Sequence, residues 1–132
     1  MTVVVDSSYA LACVLPDEPT PTSISDVFGD ALLVPFIWPL EVANAIRSAV
    51  RSRRFDRDDA AAFIAEVASL DARVAAPWHD DAARYLELAL VHDLSAYDAI
   101  YIDLCLGERV PLATRDAKLA RAAERVGIRT LT

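Results

Sequence analysis

The sequence predicts a three-layer α/β fold, a central mostly parallel sheet of four or five short strands with helices on both faces. Three observations point to it. Short β-branched or apolar runs alternate with longer stretches of helical period, the order expected of parallel strands joined by helices. Residues 95–106 are apolar nearly all round, as in a helix buried in a core. The chain's 3 glycines, Gly29, Gly107 and Gly127, all fall at expected helix ends, so none builds a phosphate-cradling loop.

The elements follow in order. Thr2 to Val5 is a β-branched run ending at Asp6, and Ser7 to Leu15 reads as a helix stopped by Pro16. Residues 22–28 form a short helix ending at Gly29, and Leu32-Leu33-Val34 a buried strand. Pro39 opens a helix reaching Arg53, with Val42, Ile46 and Val50 as its apolar stripe. Asp56 or Asp58 caps a second long helix, about 56–70. Arg73 to Ala76 fits a short strand, and residues 79–92 a helix with Tyr85, Leu86, Leu88 and Ala89 inward. After the helix over 95–106, ended by Gly107, come a strand over 110–114, a helix opened by Asp116 and closed by Gly127, and a strand over 128–131.

A chain of 132 residues, 55% hydrophobic, without repeats, low-complexity tracts or Gly/Ser linkers, is expected to form one domain over 1–132. No apolar run approaches the ~18–20 residues of a membrane span, so no membrane partner is expected. The N-terminus lacks the pattern of a signal peptide, which makes a cytoplasmic protein the expectation. Cys13 and Cys105 sit among apolar neighbours and read as buried thiols. With only His79 and His92 beside them, no zinc-ligand spacing exists, so any metal would be held by oxygen.

The net charge of −7 and the pI near 4.7 argue against a nucleic-acid partner until the distribution is considered. Arg47, Arg51, Arg53, Arg54 and Arg57 crowd into one short segment with a single acid, Asp56. That stripe is either a solvated helix face or a track for a phosphate backbone.

Parallel strands place their C-termini, and the N-termini of the helices that follow, along one sheet edge, where ligands bind. Asp6 ends the first strand, Glu41 lies in the first turn of the helix after the second, and Asp116 follows the strand ending at Thr114. Asp98 starts the buried helix: about 11 helical residues run ~16 Å away from the edge and about 5 strand residues return as far, so Asp98 and Asp116 meet. Each acid alone has a structural explanation. Asp6 and Asp116 suit helix caps, Ser95 to Asp98 has the spacing of a capping box, and Glu41 suits a helix dipole. Together, four carboxylates at one edge repel or raise one another's pKa, and a hard divalent cation resolves the conflict. Oxygen ligands suit Mg²⁺ or Mn²⁺, which can activate a water and stabilise charge on a phosphate.

Val3-Val4-Val5-Asp6-Ser7-Ser8, Glu41-Val42-Ala43-Asn44-Ala45, Leu94-Ser95-Ala96-Tyr97-Asp98-Ala99 and Leu112-Ala113-Thr114-Arg115-Asp116 together resemble the PIN domain, and within it the short VapC toxins of bacterial toxin–antitoxin pairs. The fragments come in the family's order and cover the chain end to end. The resemblance implies a PIN-like fold and a Mg²⁺- or Mn²⁺-dependent endoribonuclease that hydrolyses phosphodiester bonds in structured RNA such as tRNA or rRNA, with a metal-activated water. It also implies a homodimer held in check by a small cognate antitoxin protein. By the same match Asp6, Glu41, Asp98 and Asp116 are the metal-binding catalytic quartet, with Ser7, Asn44 and Thr114 as pocket supports. Asp103 stands where the family is usually small or apolar; it either supports a ligand or faces solvent or a dimer partner. Arg47, Arg51, Arg53 and Arg54 are then candidates for RNA contact.

Two other readings compete. A receiver-like signalling domain also gathers acids and Mg²⁺ at such an edge, but serves them with a Lys near the last strand, whereas Lys118 lies in a helix. A catalytically inactive PIN-like binding module is disfavoured by the intact quartet. Trp38 and Tyr97 are each either base-stacking or core and interface aromatics.

Overall fold

A computed structural model describes all 132 residues. Val3, Val4 and Val5 cannot remain in water without a large apolar cost, and they form the buried centre of β1 (Thr2–Val5). Four further strands join it: β2 (Ala31–Pro35), β3 (Arg73–Ala75), β4 (Leu112–Ala113) and β5 (Thr130–Leu131). All neighbours are parallel and the order is β3-β2-β1-β4-β5. The expected α/β architecture with a central parallel sheet is therefore present.

The helices are α1 (Ser7–Val14), α2 (Ile24–Phe28), α3 (Trp38–Arg51), α4 (Arg57–Ser69), α5 (Ala82–His92), α6 (Ala96–Glu108) and α7 (Ala117–Arg125). Right-handed crossovers place α1, α3 and α4 together on one face of the sheet and α5, α6 and α7 on the other. The chain moves outward from β1 through β2 to β3, then returns to the other side of β1 as β4. The loops leaving β1 and β4 consequently diverge, and that reversal opens a crevice at the C-terminal edge. The N–H of Asp6 still bonds the carbonyl of Ala113 at 2.9 Å, so the ladder holds up to the crevice itself.

Several boundaries differ from those expected. Helix α6 does not stop at Gly107; it runs through Glu108, with Arg109 following in the left-handed region at φ 58°. Gly107 is instead a contact surface, since a Cβ there would fall 1.4 Å from the Trp78 ring. Nor is α6 buried all round: Ala99, Tyr101, Ile102, Leu104 and Cys105 form its core face, while Tyr97 and Leu106 are exposed. Helix α5 begins at Ala82 rather than 79, because the Asp81 side chain accepts from the N–H of Arg84 at 2.7 Å and fixes the start there. The strand expected over 110–114 shrinks to two residues, Pro111 having no N–H to donate. Cys105 is buried and Cys13 partly so; both are free thiols, pushed up by burial to about 12 and about 11. No helix is long and apolar enough to cross a membrane.

Candidate active site

Asp6 leaves β1 at the centre of the crevice and is only 5% exposed. It occupies the N-cap position of α1, yet its side chain makes no cap bond. Its Oδ2 instead accepts from Thr114 Oγ1 at 2.8 Å and Ser8 Oγ at 2.7 Å, and its Oδ1 from Ser7 Oγ at 3.4 Å. Burying a carboxylate is costly unless donors replace the lost water, and hydroxyls from both β1 and β4 exits do so here. The same hydroxyls accept in turn: Thr114 Oγ1 from the N–H of Asp116 at 3.0 Å, Ser8 Oγ from that of Arg115 at 3.1 Å. The two diverging loops are thereby stitched together around Asp6.

Asp116 does cap its helix, Oδ1 accepting from the N–H groups of Lys118 at 2.9 Å and Leu119 at 3.2 Å. Capping engages one oxygen and leaves Oδ2 without a protein hydrogen bond, and the charge still reaches Asp98, so the cap and site readings coexist. In the first turn of α6, Ser95 Oγ accepts the N–H of Asp98 at 3.1 Å. The Asp98 carboxyl is held above its usual range by burial and then by Asp116 and Asp6, with Ser95 and Lys118 pulling it down. Glu41 is pushed up to about 7, first by burial and further by Asp6 and Asp98, against the lowering bond that Tyr101 Oη donates to its Oε1 at 2.6 Å. The four acids named from the sequence therefore interact across one crevice, reached from four different elements.

Two contributors were not singled out in the sequence. Ser8, rather than Ser7 alone, carries the shorter bond to Asp6; the Asp6-Ser7-Ser8 run held the signal, but the rotation of α1 decides which serine turns in. Tyr101 is fully buried and lies one turn beyond Asp98, so its i+3 spacing was the available clue. Asn44, exposed and one turn beyond Glu41, lines the same cleft as Ser7, Glu41 and Asp98. Asp103 does not join them. It bonds His79 Nε2 at 3.2 Å and pairs with Arg84 at 3.8 Å. Arg54 is also committed elsewhere, holding Asp17 through two bonds of 2.8 Å, while Arg47, Arg51 and Arg53 are exposed without ion pairs.

The family model of the PIN domain matches residues 3–125. The chain belongs to the PIN domain family. Members of this family are in general metal-dependent nucleases. The crystal structure of PAE2754 from Pyrobaculum aerophilum is similar with a TM-score of 0.71 and 23% identity, over 98% of this chain and 83% of that one; the likeness is one of fold. A comparison with curated proteins found no match. The receiver-like alternative lacks its lysine at the end of the last strand, since Lys118 lies in the first turn of α7.

In this PIN domain no group of three or more His, Cys, Asp or Glu side chains is arranged to hold a metal ion by itself. The donor chemistry nevertheless fits Mg²⁺ or Mn²⁺, which take one or two carboxylates and keep several waters rather than demanding a closed protein cage. Asp6, Asp98 and Asp116 are the oxygens that can serve, with Glu41 alongside. Burial first, and the neighbouring acids after it, raise the Asp98 and Glu41 carboxyls, so a nearby cation would favour their charged forms.

Proposed function

We propose that this PIN domain is a Mg²⁺- or Mn²⁺-dependent endoribonuclease acting as the toxin of a toxin–antitoxin pair of the VapC type. The observation that carries the reading is the gathering of Asp6, Glu41, Asp98 and Asp116 at the β1/β4 crevice, where burial first and the neighbouring acids second raise Glu41 and Asp98. When bound, the divalent ion supplies Lewis-acid stabilisation of the phosphate and a water more acidic than bulk water. The chain's own residues do the rest. Ser8 and Thr114 keep Asp6 aimed across the crevice. Glu41, beside Asp6 and Asp98 and oriented by the Tyr101 hydroxyl at 2.6 Å, is the group placed to take the proton of an attacking water. Lys118, its N–H bonded to Asp116 and its charge felt by Asp98, offers an ammonium to a substrate phosphate.

The exposed Arg47, Arg51 and Arg53 continue from α3 as contacts for the flanking RNA backbone. Ala43, Ile46, Val50, Ala60 and Ile64 form the apolar floor of a groove between α3 and α4 that Arg47, Arg51 and Arg57 also line, a surface that suits a small antitoxin protein with apolar and acidic side chains. Leu86, Leu90 and Val91, exposed on α5, support a homodimer.

The direct test is incubation of purified protein with folded tRNA and rRNA in Mn²⁺ or in EDTA, with sequencing of the ends produced. Defined cuts that need the metal are expected, as is growth arrest on expression, relieved by the product of a short reading frame immediately upstream. Intact RNA in Mn²⁺ refutes the nuclease reading, and unimpaired growth refutes the toxin role.

A further inference from the structure

The crevice does not end at its carboxylates. Between the first turns of α3 and α6 it widens into an open cleft of about 490 Å³, within the ~300–1,000 Å³ of small-molecule sites. Glu41 and Asp98 lie within it, and its rim is of a different chemistry. Leu40 of α3 is 68% exposed and Tyr97 of α6 is 64% exposed, each adjacent in sequence to one of those acids. Neither packs into the core, so both side chains stand available at the rim of the cleft. Asn44, one turn beyond Leu40, lines the same cleft, and neither its amide nor the Tyr97 hydroxyl is engaged in a protein hydrogen bond.

A flat aromatic face, an aliphatic side chain and a free amide, arranged around acids suited to phosphodiester chemistry, have the makings of a base-recognition subsite. A nucleobase offers a π-face to tyrosine and a hydrogen-bonding edge to asparagine, which carries both donor and acceptor. The hollow lined by Trp78, His79 and Asp103 has no such capacity, because its free space of about 20 Å³ holds roughly one water. We infer that the cleft between α3 and α6 binds a nucleobase flanking the scissile phosphate, held between Tyr97 and Leu40 and read along its edge by Asn44. The inference rests on the ribonuclease reading and extends it from the reaction to the choice of cleavage site.

Two measurements test it. Uncharged nucleosides, which need no metal to approach the carboxylates, are titrated into the protein while the Tyr97 ring and Asn44 side-chain amide are followed by NMR. At least one of the four nucleosides is expected to perturb both signals, and Tyr97→Ala to abolish binding. In parallel, RNA ends produced in Mn²⁺ are mapped for the wild type, Tyr97→Ala, Tyr97→Phe and Asn44→Ala. Loss of stacking is expected to raise KM about tenfold in Tyr97→Ala, with Tyr97→Phe close to wild type. Asn44→Ala is expected to blunt the base preference beside the cut, and Mn²⁺ affinity to hold in all three. Metal-dependent cutting with KM and base preference unaltered in Tyr97→Ala, and no nucleoside response, overturns the subsite and leaves the nuclease standing. Nucleoside binding without any cutting supports the subsite and overturns the nuclease.

Discussion

Replacing Glu41 by Gln keeps the acceptor for Tyr101 and removes the charge that the crevice opposes. The folded-state value of Glu41, about 7, lies above its ordinary 4.5, so between those values the folded protein holds a proton that the unfolded chain releases. The stability linked to that proton is complete below about 4.5 and lost as the pH rises through about 7. At ~1.4 kcal/mol per tenfold the full difference amounts to ~3 kcal/mol, but the carboxylate is only half-buried and solvent screening reduces this to ~1–2 kcal/mol. The metal-free variant should therefore be more stable than the wild type at pH 8 by ~1–2 kcal/mol, or about 4–8 °C in Tm for a chain of this length, and nearly equal to it at pH 5. Thermal and urea unfolding in EDTA at the two pH values measure this. A variant that gains nothing at pH 8, or as much at pH 5 as at pH 8, refutes the claim that Glu41 is held against its charge.

Thr114→Val takes a donor from the buried Asp6 and leaves the N–H of Asp116 without its acceptor; unfolding by urea at pH 7 should register a loss of ~2–3 kcal/mol. Gly107→Ala places a methyl where the half-exposed Trp78 ring lies, so the indole must shift; a change in Trp fluorescence is expected, with a net stability change within ~1 kcal/mol because the helix gains from alanine, and with RNA cleavage retained. Arg51→Glu should weaken RNA binding and flatten its dependence on salt, whereas Arg54→Gln, whose guanidinium is already paired with Asp17, should lower Tm slightly and leave RNA affinity nearly unchanged, both read by fluorescence anisotropy across a salt series.

The alternation of periods made the strands and helices legible, and the parallel sheet followed from it. That same rule brought Asp98 and Asp116 toward one edge from positions far apart in the chain, since a helix and a returning strand of similar rise cancel. What could not be read was rotation. Asp103 follows Asp98 by five residues, ~140° around the helix, and so turns to His79 and Arg84 instead of the crevice. Tyr101, by contrast, looks like one more apolar position in α6, although its hydroxyl ends on Glu41. The pairing of Arg54 with Asp17 spans 37 residues and depends on how the loop after α1 meets the end of α3, which no local pattern records. Gly107 read as a helix stop because the indole that needs its bare Cα belongs to a different loop.

The central claim is that these carboxylates hold a divalent metal for RNA hydrolysis, and Asp98→Asn tests it most directly. Mn²⁺ binding by calorimetry and cleavage of folded RNA are compared for variant and wild type, with Tm at pH 8 as the control for folding. Because Asp98 is itself held above its usual range by burial and by neighbouring acids, the variant should melt no lower than the wild type. The account predicts Mn²⁺ affinity weakened about tenfold or more and cleavage reduced to background. A folded Asp98→Asn protein that binds Mn²⁺ and cuts RNA as the wild type does would contradict it.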